Sequence, residues 1–140
     1  MAFPHRAAYE HFLYALPETD PHIRSSTLKL YTNSPTTCLV RGSVFFQNGL
    51  ELRVFEYLDL TDGALLAYSY AIFRGEERMR WYDPQPHPEV AELAATFPHH
   101  LHEPPDIKHN RKPAIGISFE SPNLPTLIEN CRKLADNQKS

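Results

Sequence analysis

The sequence predicts an α+β fold, in which an antiparallel sheet of five or six strands carries a helix at each end of the chain. Apolar residues recur at helical spacing near both termini, and segments rich in β-branched and aromatic residues lie between them. The dipeptides Asn48-Gly49, Asp62-Gly63 and Gly75-Glu76 separate those segments, as expected for tight hairpin turns. With 140 residues, 41% of them apolar, the chain can bury the core of one domain, which we expect to span residues 1–140.

The two helices follow from the spacing of apolar side chains. Ala8, Phe12 and Leu13 recur at helical spacing and predict a helix over about 5–15. A similar pattern predicts a closing helix over about 122–137, with Cys131 in its apolar stripe. A shorter segment, residues 88–95, is expected to form two further helical turns.

The strands lie between these helices, in segments bounded by turn residues. Strands are predicted at 27–32, 38–47, 50–59, 64–74 and 77–82, with a sixth at 114–119. The main sheet is therefore expected over about 27–82, and its last strand leads directly into a segment rich in histidine and proline.

The hairpin turns predict the register of the sheet, if each turn contains two residues. Arg41, Glu56, Ser69 and Tyr82 then form one row across neighbouring strands, on one face. For Glu56 two interpretations are open, because a carboxylate among apolar neighbours is costly to bury without a partner. It could pair with Arg41 across the strands, or face the histidines as a base or as the group that orients an imidazole.

The opposite face is expected to be strongly aromatic and covered by a helix. Tyr68, Tyr70 and Trp81 belong to it, and we interpret them as core residues and not as surfaces for stacking nucleic-acid bases.

Charge and cysteine content exclude some classes of protein. The net charge of −3 argues against a protein that coats nucleic acid, although a local basic cleft remains compatible with it. Cys38 and Cys131 are far apart in the sequence and form no CxxC pair, which favours a reduced, cytoplasmic protein. The chain lacks an apolar run of about 18 residues and a signal-peptide core, so we expect no membrane association.

Residues 82–113 carry the most distinctive composition of the chain. Five of its eight histidines and seven of its thirteen prolines fall in this range. Proline fixes φ and removes a hydrogen-bond donor, so neither a long helix nor the interior of a sheet is expected here. The segment should therefore present several imidazoles, which titrate near neutral pH, on a short and stiff stretch of chain.

Three interpretations of these histidines are open. The first is acid–base cleavage of RNA, which requires proton-transfer groups beside cations that stabilise the charged phosphorane. The second is an open metal site, in which the pair His100 and His102 is completed by His87, Asp83 or Glu56. The third is structural: the histidines hydrogen-bond backbone carbonyls in a half-exposed, proline-rich loop. Candidate phosphate-binding cations are Arg41, Arg80, Lys108, Arg111 and Lys112.

The stretches YSYAIFRGEERMRWYDPQPHP and TFPHHLHEPPDIKHNRKP resemble the TumE-like toxin family of prokaryotes. The family's pattern includes a YD-x-x-PH element and an FPHH-x-H element, and the stretches GSVFFQNGLELRVFE and PNLPTLIEN are similar to it as well. The resemblance covers about residues 27–135. Many members carry a lysine at the position of Leu101, so one candidate phosphate contact is missing here.

This resemblance implies the toxin half of a two-gene toxin–antitoxin module. The partner would be a small antitoxin, often with a DNA-binding helix-turn-helix. By analogy with other small toxins, we expect a metal-independent endoribonuclease without cofactor, with zinc as an alternative, and a homodimer is compatible with the sequence. The second hypothesis is a module without catalysis, whose histidine-rich loop contacts a protein, a nucleic acid or a metal.

The site residues are predicted accordingly. Those expected to act in catalysis are His99, His100, His102 and Glu56. Those expected to bind substrate are Arg41, Arg80, Tyr82, Asp83, His87, His109, Arg111 and Lys112. We also expect the chain to fold back so that at least one imidazole of the 99–102 tetrad lies within hydrogen-bond or one-water distance of Glu56 or Tyr82.

Overall fold

The computed structural model of the protein describes residues 3–86 and 89–138. Within them the predicted α+β class is confirmed, with helices at both ends of an antiparallel sheet. The elements are, in chain order, α1 (Arg6–Tyr14), α2 (Leu16–Thr19), β1 (Ile23–Ser26), β2 (Lys29–Thr32), β3 (Thr37–Phe46), β4 (Leu50–Asp59), β5 (Ala64–Arg74), β6 (Glu77–Asp83), a 3₁₀ helix (Ala91–Thr96), β7 (His100–His102), β8 (Arg111–Pro113) and α3 (Leu124–Gln138). No helix in the described part of the chain combines the length and apolar character that crossing a membrane requires.

The described sheet has eight strands, more than the five or six predicted. Its order is β1-β3-β4-β5-β6-β7-β8, with β2 also paired to β3. The histidine-rich segment supplies β7, which pairs with β6 and β8, and β8, which ends the sheet and contains Pro113. Each has only three residues, because the nearby prolines cannot donate to a longer ladder. The strand predicted at 114–119 is wrong, since these residues form a turn at 115–116 and otherwise irregular structure. The helical turns predicted at 88–95 lie instead in the 3₁₀ helix, and residues 87 and 88 fall outside the described range.

The turn between β3 and β4 shifts the predicted register by one residue. Residues 47–49 form a three-residue loop, in which the Gly49 N–H donates to the Phe46 carbonyl at 3.1 Å. A two-residue type I′ turn needs positive φ at both positions, but Gly49 alone has it, at +93°, whereas Asn48 does not. Consequently Glu56 lies opposite Val40 and not opposite Arg41.

Two bulges change the register further. The β4–β5 ladder shifts between Tyr57 and Leu58, and the β5–β6 ladder shifts between Ile72 and Phe73. Each bulge places one extra residue in one strand and exchanges the faces of the residues beyond it. The predicted row of Arg41, Glu56, Ser69 and Tyr82 is therefore wrong: Tyr68 lies opposite Glu56, and Tyr70 lies opposite Tyr82.

One side of the sheet, which we call the covered face, packs against α1 and α3. Alternate residues of β4 are buried there, and Glu56 is among them. Apolar residues of both helices complete the core, including Leu13, Leu124 and Leu127, each with no exposed surface. Successive side chains of a strand point to opposite faces of the sheet, so every second residue of β4 faces the helices.

The other side, which we call the open face, carries half-buried aromatic residues with arginines above them. Arg53 lies 3.8 Å above the ring centroid of Phe73, the closest of three such contacts among the described residues. The other two place Arg41 4.8 Å above Phe55 and Arg78 5.0 Å above Trp81. Trp81, predicted as a core residue of the helix-covered face, belongs to the open face, because the bulge after Ile72 reverses the alternation of β6.

Candidate functional site

The pairing of β6 with β7 gathers three polar side chains at one end of the open face. Asp83 lies opposite His100, and Trp81 lies opposite His102. Since side chains alternate along a strand, Asp83, His100 and His102 project on the same side of the sheet. We call these three residues the Asp–His cluster, and it unites the YD and HxH patterns of the sequence.

The atoms of the Asp–His cluster are in direct contact. His100 Nε2 lies 3.1 Å from Asp83 Oδ1, and His102 Nε2 lies 3.1 Å from Asp83 Oδ2. The two Nε2 atoms are also 3.1 Å apart. The residues are 8%, 1% and 3% exposed for Asp83, His100 and His102. The histidines are thus buried in the sheet, and the interpretation as a half-exposed loop is wrong for His100 and His102.

Neighbouring groups hold the two imidazoles in place. His100 Nδ1 lies 3.2 Å from the carbonyl oxygen of Pro98, and the ring of Trp81 stacks on His102 with centroids 4.6 Å apart. Burial lowers the pKa of His102, whereas the neighbouring carboxylate and the backbone of Ile107 act in the opposite direction. The Ile107 backbone affects the pKa of the His102 ring. At normal hydrogen-bond distance, however, the Nδ1 atom of His102 has no partner among the described residues. Burial therefore favours the neutral form of His102.

A pocket of about 250 Å³ opens beside the Asp–His cluster, and it contains three cationic side chains. Within the described residues, no carboxylate lies within ion-pairing distance of these cations. Such cations can donate hydrogen bonds to an anion, and phosphate suits their geometry. The pocket is lined by Arg78, Trp81, Asp83, Gln85, His102, Lys108 and Arg111.

Two of the cations predicted to bind phosphate are paired elsewhere. Arg80 donates to the Tyr82 hydroxyl and to Glu103, each at 3.2 Å, and Lys112 lies 3.1 Å from Glu103. Partial burial raises the pKa of Glu103, but Lys112 and Arg80 outweigh this effect and hold it below the ordinary value. Arg111 differs from both, because it shares a face with His102, which lies opposite it in the β7–β8 ladder.

Arg78 and Trp81 were not predicted as site residues. The Trp81 ring contacts both other groups: it stacks on the His102 imidazole, with centroids 4.6 Å apart, and the Arg78 guanidinium lies 5.0 Å from its centroid. The sequence contained a usable indication, because Trp81 and Asp83 are two residues apart on one strand and must share a face. A regular β5–β6 hairpin would have placed Trp81 on the covered face, and only the bulge in this ladder moves it to the open face.

The remaining predicted histidines do not belong to the cluster. His99 is on the covered side, where its Nδ1 lies 2.6 Å from the Tyr68 hydroxyl and its ring packs against Phe119. His109 forms an exposed pair with Asp106 at 3.1 Å. His87 lies outside the described residues.

Arg41 and Tyr82 are also separated from the Asp–His cluster. Arg41 shares its face but is on β3, four strands from β7, a distance of roughly 19 Å at about 4.8 Å per strand. Tyr82 is on the covered face, where Asn130 donates to its hydroxyl at 2.9 Å. Arg41 is therefore too far away to contact a small group bound at the Asp–His cluster.

Glu56 belongs to a second buried polar network, on the covered face. The Tyr9 hydroxyl donates to Glu56 Oε1 at 2.6 Å, and the Tyr70 hydroxyl donates to Oε2. Asn123 Nδ2 in turn donates to the Tyr70 oxygen at 3.2 Å. Glu56 therefore pairs neither with Arg41 nor with His100 and His102, which are on the other face of the sheet. Of the 99–102 tetrad, His99 does share the face of Glu56 as expected, but its hydrogen bond is to Tyr68 and not to Glu56 or Tyr82. Two tyrosines, one from α1, satisfy it instead.

Burial raises the pKa of Glu56 above its ordinary value of 4.5, and the hydrogen bonds from Tyr70 and Tyr9 offset part of that increase. Since the folded pKa is the higher one, the protonated carboxyl favours the folded state. This contribution is complete below about pH 4.5 and is lost as the pH rises through the folded pKa.

A Glu56→Gln variant is expected to depend less on pH than the wild type, because glutamine resembles the protonated carboxyl at every pH. Between pH 5 and pH 8 the wild type should lose stability from ionisation of Glu56, and the variant should not. Urea unfolding at both pH values measures the difference, and other titrating groups cancel in the comparison of the two proteins. Equal pH dependence would show that Glu56 does not titrate in this range.

Comparison with known proteins agrees with the resemblance in the sequence. The family model described as Toxin TumE matches residues 12–134, which is most of the chain. No curated protein and no solved structure gives a match. The matched range includes the Asp–His cluster and, of the Glu56 network, Glu56, Tyr70 and Asn123 but not Tyr9. The chain therefore belongs to the TumE toxin family.

Proposed function

We propose that this toxin cleaves RNA at the Asp–His cluster, with the reacting phosphate bound in the adjacent pocket. The observation that carries the proposal is that His102 and Asp83 line one pocket together with three cations that have no ion-pair partner among the described residues. Membership in a toxin family implies an antitoxin partner. Glu56 is left out of the proposal, because it lies on the opposite face of the sheet.

The cations of the pocket support phosphate binding. Arg111 is opposite His102 across the β7–β8 ladder, so a phosphate held by its guanidinium would lie beside the imidazole. Lys108 and Arg78 line the same pocket and add positive charge near the point where a phosphorane would form. Arginine and lysine are well suited to this task, because they only donate hydrogen bonds and stay charged at neutral pH.

The open face supports binding of a single strand beyond the pocket. Its half-buried aromatic rings and the arginines above them run across β3 to β6 and end at the cluster. Single-stranded RNA is recognised mainly through stacking on aromatic or guanidinium planes and through contacts to the backbone. The negative net charge of the chain is compatible with this, since five of its 14 lysines and arginines (Arg41, Arg53, Arg78, Lys108 and Arg111) lie on the open face or line its pocket.

Cleavage forms a bond between the 2′-oxygen and phosphorus and breaks the bond between phosphorus and the 5′-oxygen. One group must therefore accept the proton of the 2′-hydroxyl, the leaving 5′-oxygen must take up a proton, here from water, and cations must stabilise the charged transition state. In this proposal the Asp–His cluster is the activating group, and His102 and Asp83 are its pocket-facing members. His100, 1% exposed, completes the cluster behind them. Trp81 positions the His102 ring by stacking and makes no contact with substrate through that face.

The direct test compares RNA cleavage by the wild type, His102→Ala and His109→Ala. His109 is the matched control, because it is an exposed histidine outside the pocket. We expect His102→Ala to slow cleavage by about 100-fold or more, the usual contribution of a group that handles protons, and His109→Ala to keep wild-type activity. The assay is run with a chelator and with added divalent metal, so that it does not presuppose either chemistry.

Two results would contradict the proposal. The first is no RNA cleavage by folded wild-type protein in any of these buffers. The second is cleavage by His102→Ala at the wild-type rate. Binding of RNA without cleavage would instead favour the alternative hypothesis, a binding module whose open face contacts nucleic acid.

The two lysines near the cluster allow a matched test of phosphate binding. Lys108 lines the pocket, whereas Lys112 pairs with Glu103. We expect Lys108→Ala to weaken binding of single-stranded RNA and to reduce the slope of log affinity against log salt by about 0.7, the value for one phosphate contact. Lys112→Ala should leave that slope unchanged. Titrations at several salt concentrations measure both, and equal slopes for the two variants would place the phosphate outside this pocket.

A further inference from the structure

The spacing of the Asp–His cluster matches that of ligands around one metal ion. His100 Nε2, His102 Nε2 and the oxygens of Asp83 approach one another at 3.1 Å. Two ligand atoms bound at about 2.0–2.1 Å, with an angle of about 90–109° between them, are separated by about 2.9–3.4 Å. The three side chains therefore form one face of a coordination polyhedron and leave its other positions free.

The hydrogen-bonding capacity of the cluster indicates that a proton or a metal ion lies between His100 and Asp83. The carbonyl oxygen of Pro98 can only accept a hydrogen bond, so the Nδ1 of His100 carries a proton when it makes that 3.2 Å contact. The Nε2 of a neutral His100 is then a lone pair directed at a carboxylate oxygen of Asp83. Two acceptors at 3.1 Å in a buried site repel each other unless a proton or a metal ion lies between them.

The same contact prepares His100 as a ligand. Metal-bound histidine usually donates its second ring N–H to a carbonyl or carboxylate, which fixes the tautomer and aims the other nitrogen at the ion. His100 makes this bond to Pro98, and the stacked Trp81 limits rotation of the His102 ring. The ligand atoms are thus oriented before any ion binds.

From this geometry we propose that Asp83, His100 and His102 bind a divalent transition-metal ion, with Zn²⁺ as the ion that suits two imidazoles and one carboxylate. Catalytic zinc sites commonly have three protein ligands and an open position, and the pocket beside Asp83 and His102 leaves access for it. Mg²⁺ fits poorly, because it prefers oxygen ligands to imidazole. The sequence had left the third ligand open among three residues, and the structure assigns it to Asp83 and not to Glu56.

Metal binding is tested on the full chain, purified without a histidine tag and stripped with a chelator. Isothermal titration with Zn²⁺ is expected to give one equivalent bound per chain, with no comparable signal for Mg²⁺. Asp83→Asn, which keeps the shape of the side chain, and His102→Ala should each weaken Zn²⁺ binding by about tenfold or more, since even loss of an outer-shell partner costs that much. The control His109→Ala should bind as the wild type does.

Thermal unfolding with and without Zn²⁺ distinguishes a variant that has lost the metal site from one that fails to fold. Ligand binding to the folded state raises the melting temperature of the wild type and of His109→Ala, and at the same Zn²⁺ concentration it should raise that of Asp83→Asn less. Absence of stoichiometric Zn²⁺ binding by the wild type would overturn the inference. So would unchanged binding by Asp83→Asn and His102→Ala, since the ion would then be held elsewhere.

The contribution of the ion to catalysis rests on the proposed function, whereas its binding does not. We expect chelation to abolish RNA cleavage and Zn²⁺ to restore it, which would replace the metal-independent mechanism expected from the sequence. Zinc binding without RNA cleavage in any buffer would support the metal site and contradict the proposed nuclease activity. Full cleavage by chelator-stripped protein would support the proposed nuclease activity and show that the ion plays no part in its chemistry.

Discussion

Replacing Glu56 with alanine is expected to lower the free energy of unfolding by about 3–5 kcal/mol. The side chain is fully buried, and the hydroxyls of Tyr9 and Tyr70 both donate to it. Its removal leaves those hydroxyls without an acceptor, at about 1–3 kcal/mol each, and opens a cavity beneath α1. Because natural domains are stable by only about 5–15 kcal/mol, this loss would be a large share of the total.

Glu51→Ala is the matched control for this prediction. Glu51 is on the same strand but on the open face, where it contacts Arg53 and Ser43 while partly exposed to solvent. Its removal should cost about 1 kcal/mol or less, as is usual for exposed ion pairs. Urea unfolding of the two variants measures the difference. Equal losses would mean that the Glu56 network contributes no more than a surface contact.

A double-mutant cycle locates the stabilisation in the Tyr9–Glu56 contact. This hydrogen bond joins α1 to the centre of the sheet across 47 positions of sequence. If it stabilises the fold, Tyr9→Phe should cost less in the Glu56→Ala background than in the wild type. Additive losses would show that the two side chains act independently.

The second large effect is expected for Gly42→Ala, with a loss of about 2–4 kcal/mol. Gly42 has a φ of +137°, which residues other than glycine rarely adopt. A Cβ placed there would lie 2.5 Å from the carbonyl oxygen of Thr27 and 2.9 Å from Cα of Leu28. These backbone atoms belong to the connection between β1 and β2, which passes close to Gly42 on β3. The connection itself must therefore move to relieve the clash.

Gly49→Ala separates the clash from the backbone strain. Gly49 also has positive φ, at +93°, but an added Cβ would meet no described atom within 4 Å. The control should therefore show the strain alone, about 1–2 kcal/mol. Thermal or urea unfolding of both variants tests the comparison, and a smaller loss at Gly42 than at Gly49 would contradict the close approach of the Thr27 backbone.

The sequence by itself determined the fold class and the position of most elements. The periodicities of 3.6 and 2 depend on local spacing, so they located α1, α3 and the strands β3 to β6 to within a residue or two. Alternation also determined that the two histidines of the HxH pattern share a face, since residues 100 and 102 are two apart on one strand. The family pattern, too, was present in the residues themselves.

Only the tertiary structure decided which groups meet. Two bulges and a three-residue loop set the faces of the sheet, and each shifts the pairing by one residue without a clear mark in the sequence. As a result Glu56 is enclosed by Tyr9, 47 residues away, while Asp83 takes the place beside His100 and His102 that had been expected for Glu56. The physical reason is that a strand's alternation is local, whereas the identity of its neighbours depends on register, which distant contacts and turn geometry set together.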